Sequence, residues 1–276
     1  MDETELVLYY QPKVDLRTGH AKGVEALARW HHPERGLLSP DEFIPLAERS
    51  NLLRPMTLFL IDTALRQANA WRAKGIELTV AVNLSMQNML DLRLPNDLAR
   101  LLTSWRLPAG SLELEITEST IMADHRRAQT ILSRLSKMGV RLSIDDFGTG
   151  YSSLAYLQEL PVDAIKIDKS FVMSMESDPG NATIVQSTVD LGHNLGLEVV
   201  AEGVESAEVY NNLADLGCDY AQGYFLSKPL SPDKATLWLE VFSEIHEDTP
   251  EQEEAARREE EAMKQWELKP PSERFL

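Results

Sequence analysis

Cysteine is almost absent from this 276-residue chain, which has Cys218 and no other thiol. A single cysteine excludes an internal disulfide and is typical of a reducing compartment. The chain also lacks an apolar run of the roughly 20 residues that a membrane-spanning helix needs, and no secretory signal peptide opens it. We therefore expect a cytoplasmic segment without direct membrane insertion, while anchoring through other segments of a longer protein stays open.

Positive charge is scarce as well. The sequence has 27 Lys and Arg residues against 44 Asp and Glu residues, which gives a formal net charge of -17. This excess of negative charge argues against a protein that grips a nucleic-acid polymer through its phosphates. An acidic protein can still bind a small anionic substrate if metal ions neutralise it locally. Hydrophobic residues make up 43% of the chain, which is enough for a substantial core.

Short strand-like runs alternate with helical segments through most of the chain. The predicted strands are Leu6–Val14, Ala21–Leu27, Leu78–Asn83, Leu112–Thr117, Arg141–Ile144, Ala164–Ile167, Leu197–Ala201 and a short run near Asp219. The predicted helices are Pro40–Glu48, Met56–Lys74, Asn96–Trp105, Thr120–Met138, Ser152–Gln158, Asn181–Leu195 and Ser206–Leu216. Such alternation indicates a parallel sheet, and about eight strands in a chain of this length favour its closure into a barrel.

The first two predicted strands break this pattern. Only the short turn Asp15–Gly19 separates them, which is too little chain for a crossover helix, so the two strands should pair as an antiparallel hairpin. The sequence therefore predicts an α/β fold, a TIM-like (β/α)8 barrel whose first strand is reversed.

Polar residues occur at the carboxyl end of strand after strand, where barrel enzymes keep their reactive groups. They are Glu25, Asn83, Glu115, Asp145, Asp146, Lys166, Glu202 and Gln222. Histidine and cysteine are absent from this series, and hard oxygen ligands select Mg²⁺ or Mn²⁺ over Zn²⁺. Five carboxylates around one barrel mouth would repel one another without more than one divalent ion. The series therefore predicts a two-metal site suited to attack at phosphorus.

Each of these residues also has an ordinary structural explanation. Glu25 could be a surface glutamate, Lys166 could be an exposed lysine on a half-buried strand, and Glu202 could serve the first turn of a helix. Glu113 shares a strand face with Glu115, so either could be the one that matters. We favour the functional interpretation because the pattern extends over successive strand ends. The adjacent pair at positions 31 and 32, both histidine, is interpreted as structural because neighbouring residues of an extended segment point apart.

Several ordered motifs resemble the EAL family of cyclic-di-GMP phosphodiesterases. They are Glu25–Trp30 (EALARW), Leu114–Ser119 (LEITES), Asp145–Leu154 (DDFGTGYSSL), Ile165–Asp168 (IKID), Ala201–Glu205 (AEGVE) and Ala221–Tyr224 (AQGY). The resemblance covers about residues 6 to 240 and implies a barrel that opens one phosphodiester bond of cyclic-di-GMP to give linear pGpG. It also implies two Mg²⁺ or Mn²⁺ ions at the barrel mouth. The implied metal ligands are Glu25, Asn83, Glu115, Asp145, Asp146 and Glu202.

The resemblance implies roles for six further residues. Lys166 matches the lysine beside the attacking water, and Glu205 matches the second glutamate of the seventh-strand motif. Glu118 matches the glutamate that steadies the loop after Asp146. Gln11, Arg29 and Gln222 match positions in contact with substrate or at the eighth strand, with Arg29 reaching a phosphate.

Two alternatives stay open. The chain could be a catalytically silent cyclic-di-GMP receptor, although such receptors usually lose a metal ligand and none is lost here. It could also be an unrelated metal-dependent lyase with Lys166 as the base, which the ordered motifs disfavour.

Domain organisation is predicted from composition. Residues 1–245 form the barrel, and residues 246–276 form an acidic, charged tail that is helical or disordered, with Trp266 as its one obvious anchor for a partner. The early start of the first strand suggests a domain of a longer protein with additional regulatory domains. The family resemblance also implies a homodimer through helices near the Asp146 loop.

Overall fold

The computed structural model describes residues 5–50, 52–150 and 157–245, so the predicted tail and most of the predicted helix Ser152–Gln158 lie outside the described residues. The strands are β1 (Leu6–Asp15), β2 (Ala21–His32), β3 (Gly36–Leu38), β4 (Thr79–Leu84), β5 (Leu112–Thr117), β6 (Arg141–Phe147), β7 (Ala164–Ile167), β8 (Glu198–Ala201) and β9 (Tyr220–Ala221). The helices are α1 (Pro40–Arg49), α2 (Leu53–Arg72), α3 (Leu94–Trp105), α4 (Glu118–Ala123), α5 (His125–Lys137), α6 (Lys169–Val172), α7 (Pro179–Asn194), α8 (Ala207–Asp215) and α9 (Pro232–Ile245).

Eight of these strands close into a cylinder in the order β1-β2-β4-β5-β6-β7-β8-β9, and β9 returns to β1. The first strand, β1, runs antiparallel to both of its neighbours, whereas the other pairs around the cylinder are parallel. The short strand β3 pairs with the outer end of β2. The predicted barrel with a reversed first strand is therefore confirmed.

A tight turn between β1 and β2 explains the reversal. One side-chain oxygen of Asp15 accepts hydrogen bonds from the backbone N–H groups of Arg17 and Thr18, and Gly19 adopts a φ of 75° that suits glycine. The resulting hairpin sets Gln11 directly opposite Glu25. Two residues from the sequence-predicted site thus become neighbours because of this turn.

Side chains alternate between the two surfaces of the cylinder. On β5, Leu112, Leu114 and Ile116 are fully buried in the apolar layer between strands and helices. The intervening residues Glu113 and Glu115 point into the barrel and are equally buried. The apolar core therefore lies outside the cylinder, and the interior is free to hold charged groups.

The structure corrects several predicted boundaries. The predicted helix Thr120–Met138 is two helices, because the side chain of Asp124 caps the start of α5 by accepting from the Arg127 N–H. Strand β2 continues to His32, whose Nδ1 accepts backbone hydrogen bonds in the following turn, in accord with the structural interpretation. The sequence patterns missed β3, α6 and α9.

Helix α9 covers the outside of the barrel near the reversed strand. Trp71 of α2 donates a hydrogen bond from Nε1 to Oγ1 of Thr236 at 2.8 Å, and the ring of Tyr10 on β1 meets Trp71 edge-on. These contacts join α9 to the same apolar layer as the other helices. No helix among the described residues is long and apolar enough to cross a membrane.

If α9 belongs to the barrel core, two leucines on it should respond differently to truncation. Leu239 is 1% exposed and Leu237 is 61% exposed. We expect Leu239→Ala to lower the free energy of unfolding by about 2 to 5 kcal/mol, because it leaves a cavity in the core. The matched variant Leu237→Ala should change it by less than about 0.5 kcal/mol. Urea unfolding followed by circular dichroism measures both, and equal losses would contradict the assignment of α9 to the core.

Candidate metal centre

A bulge at the end of β6 brings two consecutive carboxylates to the barrel mouth. The pairing of β6 with β7 shifts register between Ile144 and Phe147, and Asp146 has a φ of 54°, in the left-handed region that aspartate tolerates. Consecutive strand residues normally point to opposite faces, so the bulge is what re-aims Asp146. Oxygens of Asp145, Asp146 and Glu202 consequently lie within 4.8 Å of one another.

The fully buried ammonium of Lys166 lies at the centre of the site. Its Nζ is 2.6 Å from Oε1 of Glu202, 2.7 Å from Oε2 of Glu115, 3.2 Å from Oδ1 of Asp145 and 3.7 Å from Oε2 of Glu25. These are charge contacts and not aligned hydrogen bonds, since neither Lys166 Nζ nor Glu115 Oε2 has a partner with hydrogen-bond geometry among the described residues. Four carboxylates therefore share one cation of the chain.

Amide side chains orient Glu25 from both sides. Asn83 donates from Nδ2 to Oε1 of Glu25 at 2.7 Å, and Gln222 donates from Nε2 to Oε2 at 2.5 Å. Nε2 of Gln222 also donates to Oε1 of Gln11 at 3.3 Å, and Nε2 of Gln11 donates to the backbone oxygen of Ser227. Burial raises the pKa of Glu25, but the nearby lysine and these amide donors outweigh burial and lower it. Glu25 is thus held as a carboxylate.

In contrast to Glu25, Glu115 and Glu202 have raised pKa values. Burial, followed by the charge of Glu25, raises the pKa of Glu115 well above its usual range. Burial also raises the pKa of Glu202 to about 8 against the opposing effect of Lys166. Burial alone would lower the pKa of Lys166, but the surrounding carboxylates raise it well above its usual range. Negative charge therefore exceeds what Lys166, the one close cation of the site among the described residues, balances.

This donor set fits a hard divalent cation. The clustered atoms are carboxylate oxygens, and one of those around Lys166, Oε2 of Glu115, is buried without a hydrogen-bond partner among the described residues. The carboxylates around Lys166 carry more negative charge than one lysine balances, and a divalent cation would supply the missing positive charge. The structure brings together eight of the sequence-predicted residues, namely Glu25, Asn83, Glu115, Asp145, Asp146, Lys166, Glu202 and Gln222.

A cavity of about 470 Å³ opens above the carboxylates. Six residues of the site predicted from the sequence line this cavity, namely Gln11, Glu25, Asp145, Glu202, Glu205 and Gln222. Sequence reasoning did not single out the others, which are Leu27, Lys169, Met173, Gly203, Gly223 and Tyr224. Two of them could have been found from the sequence. Leu27 follows Glu25 by two positions and Tyr224 follows Gln222 by two positions, within the motifs quoted above. A pocket of this volume can accept part of a nucleotide-sized ligand.

Arg29 lies further toward the rim than the carboxylates. It shares a face of β2 with Glu25 and Leu27, because side chains on a strand alternate. Its guanidinium donates to the backbone oxygen of Ala28 and lies 6.0 Å from the ring centre of Tyr9. Arg29 is therefore beside the opening and not within the carboxylate cluster.

Glu118 supports the loop that follows Asp146. It is 5% exposed, and its Oε2 accepts a hydrogen bond from the Gly148 N–H at 3.4 Å. A Cβ placed on Gly150 would come within 2.7 Å of Oε1 of Glu118, so glycine is what allows this approach. Glu118 thus acts beneath the loop and does not line the cavity.

The two glutamates of β5 contact different lysines. Glu115 joins the cluster around Lys166, whereas Glu113 lies deeper in the barrel, where its Oε2 is 2.8 Å from Nζ of Lys13. Both side chains point inward, as the alternation indicated, but of the two glutamates only Glu115 joins the carboxylates around Lys166.

The chain is similar to several curated proteins. It is 40% identical to the cyclic di-GMP phosphodiesterase PA2567 of Pseudomonas aeruginosa over 232 residues, which are 84% of this chain and 40% of that protein. It is 43% identical over 235 residues to the bifunctional diguanylate cyclase/cyclic di-GMP phosphodiesterase MucR of the same species, covering 85% of this chain and 34% of MucR. The chain thus spans two fifths or less of these relatives.

Solved structures are similar too. A structure described as the PaMucR phosphodiesterase in complex with c-di-GMP matches with a TM-score of 0.82 and 42% identity, covering 85% of this chain and 95% of that one. The FimX EAL domain from Pseudomonas aeruginosa bound to c-di-GMP matches with a TM-score of 0.76 and 27% identity, covering 83% and 92%. The sequence model of the EAL domain matches residues 1–229. Taken with the reversed barrel and its acidic mouth, these matches show that the chain belongs to the EAL domain family.

Proposed function

We propose that this chain is a metal-dependent phosphodiesterase that hydrolyses one phosphodiester bond of cyclic-di-GMP and releases linear pGpG, lowering the level of that second messenger. The observation that carries the proposal is the buried group of carboxylates around Lys166 beneath an open cavity. Relatives named as cyclic di-GMP phosphodiesterases support the substrate.

The proposed cofactors are two Mg²⁺ or Mn²⁺ ions. The residues that would hold them are Glu25, Asn83, Glu115, Asp145, Asp146 and Glu202, all with oxygen donors at the barrel mouth. When bound, such ions neutralise phosphate oxygens and lower the pKa of a coordinated water. The close group formed by Asp145, Asp146 and Glu202 supports one ion. The remaining donors around Lys166 support the second.

The chain's own side chains have separate roles in this proposal. Lys166, kept protonated by four carboxylates, donates hydrogen bonds toward the attacking water and balances charge. Gln222 and Asn83 hold Glu25 in one orientation. Gln222 also faces the cavity, so it doubles as a substrate contact.

Substrate contacts extend outward from the metal ligands. Gln11 and Glu205 line the cavity, and Arg29 stands near the opening, where a phosphate would find its guanidinium. Glu118 fixes the loop that carries Asp146 through the Gly148 N–H. Glu118 therefore affects turnover through the position of Asp146.

The barrel is proposed to be residues 1–245, with the acidic segment 246–276 as a separate unit. Because the relatives are much longer than this chain, we propose further regulatory domains in the full-length protein. A homodimer and a cytoplasmic location complete the proposal.

Replacing Glu25 by alanine should abolish hydrolysis. We expect turnover to fall more than about 100-fold. Loss of a residue that only hydrogen-bonds to a metal ligand typically costs about 10- to 100-fold, and loss of the ligand itself should cost more. Purified protein is incubated with cyclic-di-GMP and Mn²⁺, and pGpG is measured by chromatography. Glu77→Ala, at a side chain that is 79% exposed, is the control and should retain wild-type turnover. Tight binding without turnover by the wild type would identify a receptor and overturn the proposal.

Replacing Lys166 by methionine should make stability depend on metal. Breaking a buried ion cluster by removing its one cation typically costs about 3 to 5 kcal/mol, so metal-free Lys166→Met should unfold at lower urea than the wild type. Saturating Mn²⁺ should narrow the gap, because the ions replace the missing positive charge. Lys74→Met, at an exposed lysine, serves as control. If the difference in urea midpoint between Lys166→Met and the wild type were the same with and without Mn²⁺, the idea that Mn²⁺ binds the carboxylates around Lys166 would be contradicted.

Affinity for Mn²⁺ should rise with pH. Burial raises the pKa of Glu202 to about 8 and raises the pKa of Glu115 well above its usual range, so below about pH 8 a bound ion must displace protons. Each displaced proton weakens the affinity by about tenfold per pH unit below the pKa. Titration calorimetry at pH 6.5 and 8.5, in buffers with different ionisation enthalpies, measures the affinity and the protons released. Identical affinities with no proton release would refute this assignment.

A further inference from the structure

An ion pair crosses the inside of the barrel below the metal centre. Nζ of Lys13 on β1 is 2.8 Å from Oε2 of Glu113 on β5, and both side chains are buried. Strands β2 and β4 stand between these two strands in the cylinder, so the contact spans the interior and does not follow the wall. We call Lys13 and Glu113 the floor pair.

The floor pair lies directly beneath two residues of the site. Lys13 follows Gln11 by two positions and Glu113 precedes Glu115 by two positions, so each shares a strand face with the residue above it. Because β1 is reversed, both steps lead in the same direction, toward the mouth. Each step is about 7 Å along the strand. The separation of Lys13 from Glu113 therefore sets the separation of Gln11 from Glu115.

Neighbouring charges brace the floor pair. The ammonium of Lys13 lies 5.6 Å from the ring centre of Tyr220, whose hydroxyl is 3.3 Å from Oε1 of Glu198. Arg141 forms an ion pair with Glu198, and its Nε is 3.9 Å from Oε2 of Glu113. The network connects β1, β5, β6, β8 and β9, and Tyr220 lies two residues before Gln222. A displacement of the floor pair would therefore shift Gln11, Glu115 and Gln222, each two positions along the chain from a member of this network.

A buried ion pair such as the floor pair is weak evidence for a gain in stability. Replacing a buried ion pair by apolar residues of similar volume is often neutral or stabilising, because each charge loses its hydration on burial. Oε1 of Glu113 is moreover buried without a hydrogen-bond partner among the described residues, which adds to that cost. What the pair supplies and an apolar contact does not is a short, directional link between opposite walls of the barrel.

We propose that Lys13 and Glu113 are positioning residues for the hydrolysis, and that they hold Gln11 and Glu115 at the distance that substrate and metal require. This inference rests on the proposed function. It adds two residues that touch neither the substrate nor the ions.

The test replaces both charges at once. In Lys13→Met with Glu113→Leu, we expect unfolding in urea at or above the wild-type midpoint, an Mn²⁺ affinity at least threefold weaker, and a kcat about 10- to 100-fold lower, as expected for reacting groups displaced by about 1 Å. The control is Arg54→Met with Asp97→Leu, a pair of opposite charges between α2 and α3 outside the barrel. The control should retain wild-type kcat and Mn²⁺ affinity.

The outcomes separate the two proposals. A folded double variant with wild-type kcat and Mn²⁺ affinity overturns the positioning role. A wild type that binds Mn²⁺ but does not hydrolyse cyclic-di-GMP overturns the proposed function, and Mn²⁺ affinity in the variant then decides the positioning role alone. If the double variant does not fold, Lys13→Met decides in its place. This substitution removes the contact across the barrel while Glu113 keeps Arg141 as a neighbouring cation, and wild-type kcat and Mn²⁺ affinity in it also overturn the role.

Discussion

Attraction between one buried ammonium and four surrounding carboxylates organises this molecule. Lys166 is fully buried on β7, and its partners come from β2, β5, β6 and the end of β8. Because burial of charge costs free energy, such a group needs a structure that fixes the strands on every side and holds the opposite charges close together. The apolar side chains of the strands face outward and pack against the helices. The strands of the cylinder therefore separate an apolar layer from a charged interior.

Two local irregularities make the centre possible. The turn after β1 reverses a strand and places Gln11 against Glu25, and the bulge at the end of β6 turns Asp146 toward Asp145. Regular strands would have sent those two aspartates to opposite faces. The acidic mouth therefore depends on departures from ideal barrel geometry as much as on the barrel itself.

Much of this could be predicted from sequence, because strand ends, polar residues and turn signals are local. The barrel, its reversed strand and the convergence of Glu25, Glu115 and Lys166 all follow from such patterns. The pairing of Lys13 with Glu113 could not be predicted, since 100 positions separate them and only closure of the cylinder makes them meet. Helix α9 was missed because its exposed face also carries apolar residues such as Leu237, which blurs the periodicity.

The reversed strand also decides at which end of the barrel the chain enters the fold. Because β1 runs against its neighbours, Leu6 at its beginning pairs with Trp30 near the outer end of β2, on the same side as the acidic opening. In an all-parallel barrel, the first strand would start at the opposite pole. The chain therefore enters the barrel at the rim that carries the carboxylates, so a force applied at Leu6 acts close to the cluster around Lys166.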